Sequence, residues 1–289
     1  MKRFFLFALF ALPLTIGGSV MKYISHKLFA VLLTLITLVP FSYAQTSPQA
    51  STTTTAKPQL FHVFVAHVKP EMLLEFESFV KNERNPLLMK GGVKTTSVWR
   101  PDLGDRFEYT LMRPIENFAE LEEDPIRRAL PREGNEFQEH YKKLRTFLLG
   151  SENLIVTSRP DLSYGSSKQH GTPPLIIVTK RWLTPFRTAD YTNYLKYEVV
   201  PAHKKADVTL LVSNVMYGGD VNLFYLIAPL ESYTSRDGKN PLRVALGDDA
   251  VTALNRATPV GTVVKTEQTI LRYRADLSIT PQTTTAEKK

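Results

Sequence analysis

The chain has 289 residues, 43% of them apolar and 22% charged, with a formal charge of +8; this is an ordinary globular balance with length for about two domains. It contains no cysteine, which excludes disulfides, thiolate metal sites and a cysteine-linked lipid anchor. Setting aside Lys2, Arg3, Lys22 and Lys27 lowers the charge to +4, too mild for a nucleic-acid footprint.

The first 44 residues contain no Asp or Glu and hold two apolar runs, Phe4 to Ile16 and Leu28 to Phe41. The second run has the layout of an export signal. Lys22 and Lys27 precede Leu28 to Val39, Ser42-Tyr43-Ala44 offers a small-x-small cleavage site, and Met21 is an alternative start. Both runs are shorter than the roughly 20 apolar residues that span a bilayer. A cleaved signal at 1–44 and a periplasmic or extracellular location are therefore expected, with no membrane partner afterwards. Residues 45–58 (QTSPQASTTTTAKP) and 280–289 lack apolar surface and are expected to be a disordered linker and tail.

The segment between them says nearly the same thing twice. Leu60, Val63 and Pro70 recur 115 positions later as Leu175, Val178 and Pro185, and Lys81, Glu83 and Pro86 as Lys196, Glu198 and Pro201. Arg159-x-Asp161-Leu162-Ser163 recurs as Arg274-x-Asp276-Leu277-Ser278. One offset held over such a length marks a duplicated unit, here 59–163 and 175–279 around a linker at 164–174.

Each copy opens with an apolar, β-branched run that predicts a strand, Leu60–Lys69 and Leu175–Leu183. A helical stripe follows, formed by Leu73, Phe76, Phe79, Val80 and Glu83 and, in the copy, by Tyr191, Tyr194, Leu195 and Glu198. Pro86 and Pro201 are expected to break these helices. A hairpin comes next, Val93–Arg100 with Phe107–Arg113 and Val208–Tyr217 with Asn222–Ala228, turned at Gly104-Asp105 and Gly219-Asp220. Asn117, Ser232, Asp124 and Asn240 are the expected N-caps of the second helical region, the last two followed by proline. Glu152–Ser158 and Glu267–Tyr273 close each copy as β-α-β-β-α-β, the ferredoxin-like order.

Helices on one face of a sheet leave its other face bare, and a twin sheet can cover it. On this topology and duplication, residues 59–279 resemble the dimeric α/β-barrel superfamily. The resemblance implies an α+β fold in which two tandem ferredoxin-like units set their antiparallel sheets face to face as an intramolecular barrel, with further oligomerisation open. That superfamily holds cofactor-free monooxygenases, lactone isomerases, haem enzymes and proteins of unknown chemistry, so the fold does not choose an activity. The chain has no G-x-S-x-G, Walker or dinucleotide motif. Its third strands, RFEYTLMR and NLFYLIAP, lack the glycines and spaced aromatics of an RNA-binding sheet.

Functional candidates come from twin positions that differ, because features kept in both copies serve the fold first. By that rule Glu83 and Glu198 are structural, each expected to hold a lysine or a backbone amide. His67 is twinned with Trp182, and Val65 with Lys180. His67 and Lys180 are the expected reactive pair, lining the barrel with Trp182, Trp99, Arg100, Tyr109 and Tyr225 around a small apolar or aromatic ligand. His62 lies on the opposite strand face from His67. No metal or cofactor is expected. Haem is the alternative, with His203, the twin of Leu88, as axial ligand and Arg100 or Arg181 as distal donor. His140, in a charged stretch, is expected on the surface. Two classes stay open: a small-ligand binding protein without turnover, and an enzyme that is a cofactor-free monooxygenase or isomerase, or else haem-dependent.

Overall fold

The computed structural model describes residues 56–165, 171–238 and 240–280; the expected export signal, most of the first linker and tail, and 166–170 of the central linker lie outside them. Eight strands form one closed antiparallel barrel: β1 (Leu60–Val68), β2 (Ser97–Leu103), β3 (Glu108–Ile115), β4 (Leu148–Ser158), β5 (Leu175–Leu183), β6 (Leu211–Tyr217), β7 (Leu223–Leu230) and β8 (Val263–Tyr273). Their order around the barrel is β1-β3-β2-β8-β5-β7-β6-β4. The central strand of each half is apolar on both faces, which explains why it reads as a continuous run. In β1, Phe61, Val63 and Val65 face the lumen, while Phe64, Ala66 and Val68 pack under helices.

The two sheets do not stack face to face as separate layers. They join edge to edge, with β2 bonded to β8 (Arg100 opposite Arg272) and β4 to β6 (Thr157 opposite Asn214). Joining the edges satisfies backbone groups that two stacked sheets would leave open at four edges. Where the β6–β7 turn meets β4, Gly218 has φ +86° and a Cβ there would lie 2.0 Å from the Asn153 carbonyl oxygen, so only glycine is accommodated.

Helices cover the outside. Helix α1 (Leu73–Phe79) runs through a wide turn at Val80–Arg84 into α2 (Asn85–Lys90). The second half repeats this with α5 (Thr188–Tyr194), Leu195–Val199 and α6 (Val200–Ala206). The prolines therefore do not break the helices. The Asn85 amide donates to the Val80 carbonyl, and the Val200 amide to Leu195, in bonds one residue longer than α-helical ones. This widened turn passes the chain into the proline-bearing segment without an α-helical clash. The second helical region is α3 (Pro125–Ala129) and α4 (Glu136–Phe147) in one half, α7 (Pro241–Leu246) and α8 (Asp248–Arg256) in the other. Asp124 and Asn240 cap as expected, accepting from Ile126 N at 2.7 Å and Leu242 N at 2.9 Å. Asn117 accepts from Ala119 N at 3.0 Å, whereas the Ser232 side chain makes no cap bond. Glu83 meets Lys143 at 2.7 Å.

The repeated Arg-x-Asp-Leu-Ser motif is a reciprocal latch. Ser163 Oγ accepts from Val212 N, and Ser278 Oγ from Val98 N, both at 2.9 Å, so each motif holds the second strand of the other half. Leu162 is 1% exposed within the second half's helix–sheet core, and Leu277 is 1% exposed within the first half's.

Candidate functional site

The ring order places β1 and β5 four strands apart, so with all neighbours antiparallel their C-terminal ends open on the same side of the barrel. His67, near the end of β1, and Lys180 and Trp182, near the end of β5, are thereby brought to one mouth. Glu108 at the start of β3 stands between them, its carboxylate 3.9 Å from His67 Nδ1 and 3.9 Å from Lys180 Nζ. Glu152 on β4 lies 3.9 Å from His67 Nε2. Tyr225 on β7 faces the same group, and burial, with help from Glu152 and Glu108, pushes its phenol up to about 12. It is a neutral hydroxyl at neutral pH.

Beneath this mouth the lumen holds a cavity of about 370 Å³. Its walls are apolar, with Phe61, Val178, Ile227 and Leu271 among them, and Trp99 lies in the wall with its indole Nε1 donating to Ser97 Oγ at 3.2 Å. Trp182 packs against the buried cluster of Val63, Leu154, Val156, Val215 and Leu223, and the Lys265 ammonium sits 4.6 Å from its ring centroid. An apolar chamber ending in one carboxylate-bridged His and Lys can seat a hydrophobic body and orient a single polar group.

Arg100 and Tyr109 are not part of the chamber. Strand side chains alternate, and Trp99 and Thr110 take the inward positions beside them. Arg100 and Tyr109 instead point outward beneath α1. There the Tyr109 hydroxyl donates to Glu77, Arg100 Nη1 lies 3.4 Å from Glu77, and Arg274 forks onto the same carboxylate, one arm at 2.8 Å. The bond from Arg274 holds Glu77 below its ordinary range, while burial lifts Tyr109 to about 12. Since Arg274 follows β8, this cluster ties one seam of the barrel.

His203 is also set elsewhere. Its Nδ1 is 2.9 Å from the Val208 carbonyl at the end of α6, and burial pushes its pKa down. It borders neither the lumen nor the cavity outside β1, so the expected axial ligand does not meet a chamber of haem dimensions, and Arg181 is turned instead to Tyr191 at 3.1 Å. Among the described residues no three His, Cys, Asp or Glu side chains cluster as a metal site. His140 is 8% exposed, not on the surface, with its ring 4.9 Å from that of Phe79; the helical phase of α4 turns it inward with Leu144 and Phe147.

Glu108 was absent from the expected group, although its twin is Leu223 and the same rule that selected His67 would have selected it. Arg84, Arg113 and His62, whose twins are Val199, Ala228 and Ile177, satisfy the same rule. They meet at a second cavity, of about 500 Å³, between the outer face of β1, β3 and β4 and helices α2 to α4.

No protein-family model matches the sequence, and no curated protein does either. Solved structures resemble the fold at low identity. An anthrone oxidase-like protein is 11% identical with a TM-score of 0.49, over 76% of this chain and 93% of its own. Chlorite dismutase from Candidatus Nitrospira defluvii is 12% identical with a TM-score of 0.43, over 75% and 92%. A NIPSNAP family protein from Agrobacterium tumefaciens is 16% identical with a TM-score of 0.26, over 34% and 90%. At these values no activity transfers to this chain.

Proposed function

We propose that the protein binds a small apolar or aromatic molecule in the barrel lumen and orients the ligand's polar end toward Lys180, His67 and Tyr225. The observation that carries this reading is the chamber of about 370 Å³, largely apolar, with Lys180 and Glu108 in its lining and His67 3.9 Å from Glu108. Its volume falls within the range of small-molecule sites. The repeated β-α-β-β-α-β order supports reading each half, 59–163 and 175–279, as a ferredoxin-like unit of one barrel, and the basic, apolar and small-x-small layout within 1–44 supports an export signal there.

The same bridge favours an enzyme as the second reading. A histidine flanked by two carboxylates is suited to accept a proton from a bound phenol or carbon acid. Lys180 is suited to stabilise the resulting enolate or phenolate, the first step shared by cofactor-free oxygenation and isomerisation.

Trp99 and Trp182 are the chain's two tryptophans, and both line or close the lumen, so intrinsic fluorescence reports on its occupancy. Titration of residues 45–289 with 1-naphthol should quench that fluorescence, and Lys180→Ala should weaken binding about tenfold or more, the loss expected for a charge-assisted hydrogen bond. Unchanged fluorescence at saturation, or equal affinity in the variant, would remove the lumen site. A Soret band in the purified protein would replace it with a haem reading.

A further inference from the structure

We infer that the cavity outside the barrel in the first half is a separate binding site for a small organic carboxylate with an apolar body. The site lies across the sheet from the lumen, since His62 and Arg113 are cross-strand partners facing outward while their neighbours Phe61 and Met112 line the chamber within. Its walls include Phe64, Leu88, Leu111, Ile126 and Leu144, and its polar groups gather at one place.

The partners of those groups single out one residue. Three carboxylates border the cavity and all three are engaged. Glu120 accepts from Arg113 Nη1 at 3.2 Å and from the Glu116 amide at 2.6 Å. Asp124 accepts from the Ile126 amide at 2.7 Å and the Tyr141 hydroxyl at 2.5 Å, and Glu123 pairs with Arg132 at 3.5 Å. Arg84 alone among the cavity's ionic groups has no hydrogen bond or ion pair among the described residues. The face of Phe64 lies 5.7 Å from ring centroid to guanidinium carbon, and Asp124 and Tyr141 act on Arg84 through space without bonding it. The guanidinium is enclosed deeply enough for burial to push its pKa down, yet the residue keeps partial accessibility, and that remaining surface opens on the cavity.

A buried unpaired cation is costly to hold, and the duplication shows that the fold does not need one. The twins of His62, Arg84 and Arg113 are Ile177, Val199 and Ala228, which pack in apolar clusters of the second half. The same architecture thus tolerates an all-apolar version of this corner. In the first half the planar donor fork of Arg84 is matched in geometry by a carboxylate. His62 beside it is held toward the neutral form by burial and by the charges of Arg113 and Arg84. The apolar walls are suited to the body of an aromatic or short aliphatic acid.

Isothermal titration of residues 45–289 with benzoate, benzamide and inorganic phosphate tests the assignment. Benzoate should bind at least tenfold tighter than its neutral isostere benzamide and than phosphate. Arg84→Met should cost benzoate affinity about tenfold or more, Arg84→Lys less, and this Arg84-dependent binding should persist in Lys180→Ala, which removes only the lumen's cation. Removing an unpaired buried charge is not expected to unfold the protein, and a thermal melt of each variant checks that directly. Benzoate binding that survives Arg84→Met, that is lost with Lys180→Ala, that phosphate equals, or that is undetectable at millimolar concentration would each overturn the site. The Lys180 outcome alone bears on the lumen, so the two readings fail separately.

Discussion

In the first half Phe76 on α1 meets Tyr109 on β3 with ring centroids 5.1 Å apart; in the second, Tyr191 on α5 meets Phe224 on β7 at 5.5 Å. These are twin positions with phenol and phenyl exchanged. Each pair therefore keeps one hydroxyl, and each half brings an arginine to it: Arg100 to Tyr109 at 3.3 Å and Arg181 to Tyr191 at 3.1 Å. Packing constrains the pair of rings as a unit, so the hydroxyl can change strand for helix as long as a donor from a neighbouring strand follows. The halves diverge in what else is added. Only the first half places a carboxylate, Glu77, at the junction, where Thr192 is its twin, and only there does the helix–sheet corner carry Arg84 and Arg113. Duplication thus left one copy closer to a plain scaffold and charged the other.

The latch is where the halves should be most alike, and breaking it should have the largest effect. Leu277→Ala and Leu162→Ala each remove a fully buried leucine from the opposite half's core and should cost about 2–5 kcal/mol. Urea unfolding should give costs within about 1 kcal/mol of one another, and a large inequality would mean that one seam dominates closure. Next comes the Glu77 cluster, where the halves should differ. Glu77→Leu leaves Arg274 and Arg100 without their shared carboxylate and should cost about 3 kcal/mol, whereas Thr192→Val should stay within about 0.5 kcal/mol. Equal costs would show that the first-half network does not stabilise the seam.

Tyr109→Phe should then cost more than Tyr191→Phe, about 2 against about 1 kcal/mol, because the first hydroxyl serves both a carboxylate and an arginine. The smallest effect is on pH dependence. His62, His140 and His203 are pushed down by burial, so the unfolded chain takes up protons first, and stability should decline as pH falls below their ordinary value near 6.5. A second decline should follow below about 4.5, the ordinary value for Glu77, whose folded pKa is depressed by Arg274. Thermal melts across this range should show Glu77→Gln reducing the acid limb, to which Asp102, Asp161 and Asp276 also contribute, and His140→Leu reducing the upper one.

Much of the architecture was legible in local pattern. Asp124-Pro125 and Asn240-Pro241 announce helix starts because a cap depends on the next two residues. The inward set His67, Lys180 and Trp182 follows from counting by twos along a strand. The same count separates Trp99 from Arg100, yet grouping Trp99, Arg100 and Tyr109 of one hairpin as ligand-binding ignored it. His140 was misread because a charged neighbourhood in sequence says nothing about helical phase. Nothing local in the sequence marks Arg84, because the cavity it borders is built from segments far apart along the chain.

What the sequence determined by itself is the duplicated β-α-β-β-α-β order, the apolar faces of its strands and the caps of its helices, all set by interactions within a few residues or by direct comparison of the copies. The tertiary structure alone decided that the sheets join at their edges, that each Leu-Ser latch serves the other half, and that Glu108 bridges His67 and Lys180. Those contacts join residues up to about 180 positions apart. They depend on which edges pair and in what register, which no local pattern encodes.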